Sequence, residues 1–141
     1  MSNFYRYFKE NMDDLGLPAP ETLFGTLQAA LSNVTVFVTQ IDKFGKKVTV
    51  AELLGAGSRV EKLGMVAALS ASFYVGAVIG SIAVATGRTF SGGTSLADVL
   101  LLARQNNLGR SWLVSDLRRW PGIYDKTVLG RRMYCQMARQ R

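Results

Sequence analysis

The chain has 141 residues, 48% of them hydrophobic, with 17 Lys and Arg against 10 Asp and Glu, one cysteine and no histidine. That length predicts one domain able to bury a core, and the hydrophobic share argues against disorder. A single cysteine, Cys135, and no histidine exclude a disulfide framework and any Cys/His zinc site, so no metal or cofactor is expected.

The opening Met1–Glu10 has no apolar run behind a basic patch. It predicts a protein that is cytoplasmic when made, without a secretory signal. Phe4, Phe8, Met12 and Leu15 share a helical face, which predicts an amphipathic helix over 3–14, ended by Gly16–Pro20. The stretch Thr22–Ile41 carries no charge. Its apolar residues Phe24, Leu27, Leu31, Val34, Val38 and Ile41 follow heptad-like spacing. Thr26, Ser32, Asn33, Thr35, Thr39 and Gln40 make the rest of the surface polar but uncharged. A strand over 34–39 is the competing reading, since β-branched residues cluster there. The stripe runs through both halves and favours a helix.

Asp42–Lys47 reads as a polar turn, and Thr49 with Glu52 has capping-box spacing for a short helix through Leu54. Gly55 and Gly57 stop it, and Ser58 with Glu61 repeats the spacing. Then come 25 residues, Leu63–Gly87, without a charge. Gly64, Ala68, Ser72, Gly76 and Gly80 recur every fourth position, which places a groove of small residues along one helix face. With Gly87 as cap, the expected helix covers about 59–86, roughly 42 Å long against a ~30 Å hydrocarbon core.

Arg88–Thr94 reads as a loop, and Ser95 with Asp98 as a third capping box starting a helix through Gln105. Its apolar face is Leu96, Val99, Leu100 and Ala103. Asn106–Gly109 breaks the chain, 112–120 is helical, Pro121–Gly122 turns it, and Thr127–Arg139 is a last basic helix. The expected fold is all-α, one compact helical domain over 1–141 around the 59–86 helix. Within it, 1–20 is the N-terminal helix and turn, 22–103 the hydrophobic core and 104–141 the basic helices.

Charge is unevenly placed. Up to Ala103, eight basic and eight acidic residues cancel; from Arg104 onward nine basic residues face only Asp116 and Asp125. An anionic partner is expected there: a lipid surface, nucleic acid or an acidic protein. The contact residues would be Arg118, Arg119, Arg131, Arg132, Arg139, Trp112 and Trp120. A nucleic-acid role would add Arg104, Arg110 and Arg141, and Tyr124 for stacking. A solvated basic helix that only keeps the protein soluble accounts for the same residues.

Catalysis has little support. Glu52 and Glu61 have capping roles, Cys135 stands alone among Arg131, Arg132 and Arg139, and Ser91–Ser95 lacks a P-loop lysine. No enzyme is expected. In the central run, nine Leu, Ile, Val or Phe residues favour membrane insertion by roughly 3–5 kcal/mol, while Gly, Ser, Thr and Tyr74 oppose it. The segment is near balance between a buried core helix and a membrane span. The groove Gly64–Gly80 would pack helices in either setting, and in a bilayer it predicts a homo-oligomer. The uncharged polar face of 22–41 would line a narrow pore or contact polar neighbours.

This layout over residues 22–103 resembles the small pore-forming effectors that bacteria deliver into rivals by type VI secretion, with a glycine-zipper segment. It is more loosely similar to the hydrophobic hairpin of pore-forming colicin domains. It departs from the latter in that Ser95–Ala103, with Asp98, is too short for a second hairpin arm. The resemblance implies an antibacterial toxin acting as an ion-conducting pore that depolarises a target's bacterial inner membrane. It also implies an immunity protein in the producer and a carrier or chaperone. The alternative is a non-enzymatic helical interaction module whose basic tail binds an anionic partner.

Overall fold

The computed structural model describes residues 3–45, 47–54, 69–87, 95–125 and 127–134. Among them the protein is all-α: α1 (Asn3–Asp14), α2 (Glu21–Phe24), α3 (Leu27–Phe44), α4 (Val50–Leu54), α5 (Ala71–Gly87), α6 (Leu96–Gln105) and α7 (Ser111–Arg119). Two 3-10 turns follow, Pro121–Ile123 and Arg131–Met133.

α5 is the centre, and α1, α3, α6, α7 and the Pro121–Ile123 turn pack around it. Every residue from Ala71 to Ala85 is buried. A helix without a polar face must be enclosed by protein or lipid; here protein encloses it. The amphipathic helices supply the inner wall: Phe8 and Met12 from α1, Val34, Phe37 and Val38 from α3, Val99 and Ala103 from α6, Leu113 and Leu117 from α7. One hydrophobic cluster links Tyr5 to Tyr134.

Local chemistry sets several helix starts. At α4 the Thr49 hydroxyl accepts from Glu52 N at 3.2 Å, and the Glu52 carboxylate accepts from Thr49 N at 3.0 Å. Ser95 and Asp98 make the same reciprocal pair at α6. These caps satisfy backbone donors that a helix start leaves open. The two exposed carboxylates therefore titrate below their ordinary range, because backbone and hydroxyl donors hold the charged form.

The structure corrects three sequence-based expectations. The 22–41 helix is broken after Phe24: the Thr26 hydroxyl accepts from Ala29 N at 3.1 Å and starts a new helix at Leu27. Residues 34–39 lie inside α3, the helix the stripe favoured over a strand. The central helix does not run back through 69–70. Ser70 forms an antiparallel bridge with Thr49, and Val50 N and Ala71 N donate to Leu69 O and Val48 O at 3.0 and 2.9 Å. The expected residues 59–68, Gly64 and Ala68 among them, lie outside the described residues. α5 has 17 residues, about 26 Å at ~1.5 Å each. Among the described residues no helix is long and apolar enough to cross a membrane.

The third correction concerns the basic end. Residues 127–134 are not a continuous helix. Thr127 N and Oγ1 donate to the Asp125 carboxylate at 2.9 and 2.6 Å, Gly130 takes φ +76°, and a 3-10 turn over Arg131–Met133 follows. Asp125 holds its proton less tightly than usual for the same reason. Residues 135–141, with Cys135 and Arg139, lie outside the described residues.

Candidate functional site

The small-residue face of α5 is the most specific feature of the sequence, and the fold fills it from the chain's own basic end. A Cβ placed on Gly76 would meet Leu113 Cδ1 at 3.8 Å and Asp116 Cβ at 3.9 Å, both on α7. A Cβ on Gly80 would collide with Ile123 Cγ2, with Ile123 Cβ at 3.7 Å behind it. Ser72 turns to Ser70, its hydroxyl 2.9 Å from that of Ser70. Ser72, Gly76 and Gly80 are thus buried, and α7 with the Pro121–Ile123 turn forms a cover over Gly76 and Gly80.

Two buried clusters hold that cover. In the first, Asn11 Nδ2 donates to Ser81 Oγ at 2.8 Å and to Ile123 O at 2.9 Å. Its Oδ1 accepts from Arg131 at 2.6 Å. One side chain of α1 therefore ties together α5, the cover and the loop beyond it. Arg131 Nε is buried with no hydrogen-bond partner among the described residues. Burial pulls the guanidinium below its ordinary pKa, while Asp14, Tyr134 and Asp125 pull it back. In the second cluster, Trp120 lies 4.8 Å from the Tyr134 ring and edge-on to Phe73 of α5 at 5.6 Å. The Tyr134 hydroxyl accepts from Gly122 N at 3.0 Å.

The expected anionic-surface set therefore divides. Arg118, Arg119 and Arg132 are exposed. Arg131 and Trp120 are only 8% and 5% exposed, so they are clamps of the cover, a correction to the sequence reading. Arg119 stacks over the outer Trp120 ring face at 4.8 Å. Trp112 is partly buried and borders a surface cleft of about 320 Å3 with Ile41, Asp42, Gly45, Ser111 and Ser115.

A second open cleft, of about 440 Å3, is lined by Leu100, Arg104, Asn107, Gly109, Arg110, Ser111 and Val114. Asp42, the one carboxylate in either cleft, is held by Arg110 at 2.8 Å. Among the described residues no group of three His, Cys, Asp or Glu stands where it could hold a metal.

The six residues expected to line a pore lie on α3 and its cap, on the outside of the fold or at its edge. Thr26, Ser32, Thr35 and Thr39 face solvent on α3 and its cap, with Asn33 and Gln40 half-buried. Thr35 and Thr39 donate back to Leu31 O and Thr35 O at 2.7 and 2.9 Å, and Asn33 donates to Leu23 O at 2.7 Å. Residues that sequence reasoning missed are Asn11, Ile123 and Tyr134. Their partners lie 70 or more positions away for Asn11, and no local pattern marks such pairing. Neither a family model, nor a curated protein, nor a solved structure matches the chain.

Proposed function

We propose that the protein is a membrane-active antibacterial toxin that permeabilises the bacterial inner membrane. The observation that carries this reading is α5 itself: an uncharged helix, apolar on every side, enclosed by amphipathic helices whose removal would leave it nothing but lipid to face. Insertion proceeds in three steps. The cover lifts from Gly76 and Gly80. The Thr49–Ser70 bridge opens, and the helix extends toward Leu63, which gives 25 uncharged residues or roughly 37 Å. Copies then associate through the bared small-residue face, where backbones approach closely, and the uncharged polar face of α3 lines the conducting path. The resemblance to type VI effectors adds an immunity protein and a carrier as partners.

The cover supplies the test. A Cβ built on Gly76 would lie 3.9 Å from Asp116 Cβ, within the ~3.5–4.5 Å that a disulfide spans. In a Cys135→Ser background, Gly76→Cys with Asp116→Cys forms a bridge that pins α7 to α5. Vesicles loaded with a self-quenched dye should retain it with the bridged protein and lose it after reduction. Equal release before and after reduction would refute the covered-groove reading. A second reading, a non-enzymatic helical module whose basic end binds an anionic partner, draws on the clamps from Asn11, Trp120 and Tyr134 that tie the cover down. It expects no release in either state.

A further inference from the structure

We infer that the loop around Leu129, with Met133 and exposed Arg132, is a docking surface for an anionic lipid bilayer. Leu129 is 94% exposed and Met133 51% exposed. The loop that carries them is built, not loose. On one side the Asp125–Thr127 hydrogen bonds shape it; on the other, Met133 N donates to Gly130 O at 2.9 Å and Arg131 anchors it to Asn11 at 2.6 Å. A pinned loop thus holds two apolar side chains in water, and Leu129 is the most exposed of the large hydrophobic residues described.

Charge selects the environment. Arg132 stands between Leu129 and Met133 and is exposed. Arg119 lies over Trp120, which packs on Tyr134, the residue after Met133. The whole net charge of +7 lies between Arg104 and Arg141, the part of the chain that includes this loop. Apolar tips among arginines match a headgroup layer, where cations meet phosphates and aliphatic groups reach the acyl boundary. Nucleic acid fits less well. Single strands are held by aromatic stacking, yet Trp120 and Tyr134 are buried, and an aliphatic tip gains nothing from a phosphate backbone.

This inference rests on the membrane reading, but docking and permeation separate experimentally. The bridged Gly76→Cys/Asp116→Cys protein is floated with vesicles of equal parts phosphatidylcholine and phosphatidylglycerol, and with phosphatidylcholine alone. It should float only with the anionic vesicles, without releasing dye. Leu129→Asn with Met133→Asn should weaken that binding at least tenfold, since losing the burial of even one such side chain costs about 1.5 kcal/mol or more. Arg132→Gln should weaken it about fivefold, from about 1 kcal/mol per cation near an anionic surface, and flatten its salt dependence. Melting curves check that these exposed positions leave the fold intact.

Equal flotation of the Leu129/Met133 variant would overturn the inference, as would flotation with neutral vesicles or none at all. So would displacement by duplex DNA that the Leu129/Met133 variant matches. Flotation without dye release after reduction would instead refute the pore and leave the docking surface standing.

Discussion

The contrast between Gly76 and Gly80 gives a sharp test of how the cover seats on α5. Both are buried glycines inside one helix, so Gly→Ala at either position gains about 1 kcal/mol of helix propensity. Their neighbours differ. At Gly76 the new methyl meets Leu113 and Asp116 at ordinary contact distance, 3.8 and 3.9 Å. Gly76→Ala should therefore stabilise the protein by about 0.5–1 kcal/mol, a rise of roughly 2–4 °C in Tm. At Gly80 the methyl collides with Ile123 Cγ2. Ile123 is β-branched and stiff at χ1, and its carbonyl is held by Asn11 at 2.9 Å, so it cannot swing aside.

Overpacking of this kind costs about 2–3 kcal/mol, and after the propensity gain Gly80→Ala should lose about 1–2 kcal/mol. Urea denaturation of both variants measures the difference. In an Ile123→Ala background the collision disappears, so a double-mutant cycle should return a coupling above about 1 kcal/mol. Equal stabilisation by both alanines, or a coupling near zero, would refute the placement of Ile123 against Gly80.

Asn11→Ala should cost about 3 kcal/mol in urea denaturation, because it leaves a buried guanidinium without its acceptor. Arg131→Met, which removes the cation together with its need for a partner, should cost less; the reverse order would contradict the buried network. Glu52 and Asp98 have lowered pKa values in the folded state. Their stabilisation is present above the unfolded values of about 4.3 and 3.9 and is lost as pH falls through the lower folded values. Glu52→Gln with Asp98→Asn should flatten the acid limb of a stability–pH profile and leave its neutral-to-basic slope unchanged. On addition of anionic vesicles, the Val50 amide, which donates to Leu69 O across the bridge, should lose hydrogen-exchange protection as the bridge opens; unchanged protection would argue against that extension.

The sequence was readable where local chemistry decided the structure. The α1 face, both described capping boxes and the α6 start follow from short-range spacing, and the structure has them there. It was unreadable where a partner far along the chain decided. Nothing local stops a helix at Leu69–Ser70; pairing with Val48 and Val50 does. The small-residue face was legible, but not that Ile123 fills it. Arg131 looked like its neighbour Arg132, and only Asn11, 120 residues earlier, draws it inside.

Two missed breaks did carry signals. Thr26 is an N-cap residue before a helical run, although the apolar stripe keeps phase across it. The Asp125–Thr127 pair and Gly130 are turn residues that an unbroken basic helix would not favour.

The most direct measurement is the inner-membrane potential of living bacteria, followed with a potential-sensitive dye while the protein is exported to the periplasm. The account predicts rapid depolarisation by the native sequence. It predicts a preserved potential for Gly76→Cys/Asp116→Cys in the Cys135→Ser background, because the oxidising periplasm closes the bridge and keeps the cover in place. An unchanged potential with the native sequence, or equal depolarisation by the bridged protein at equal expression, would contradict it.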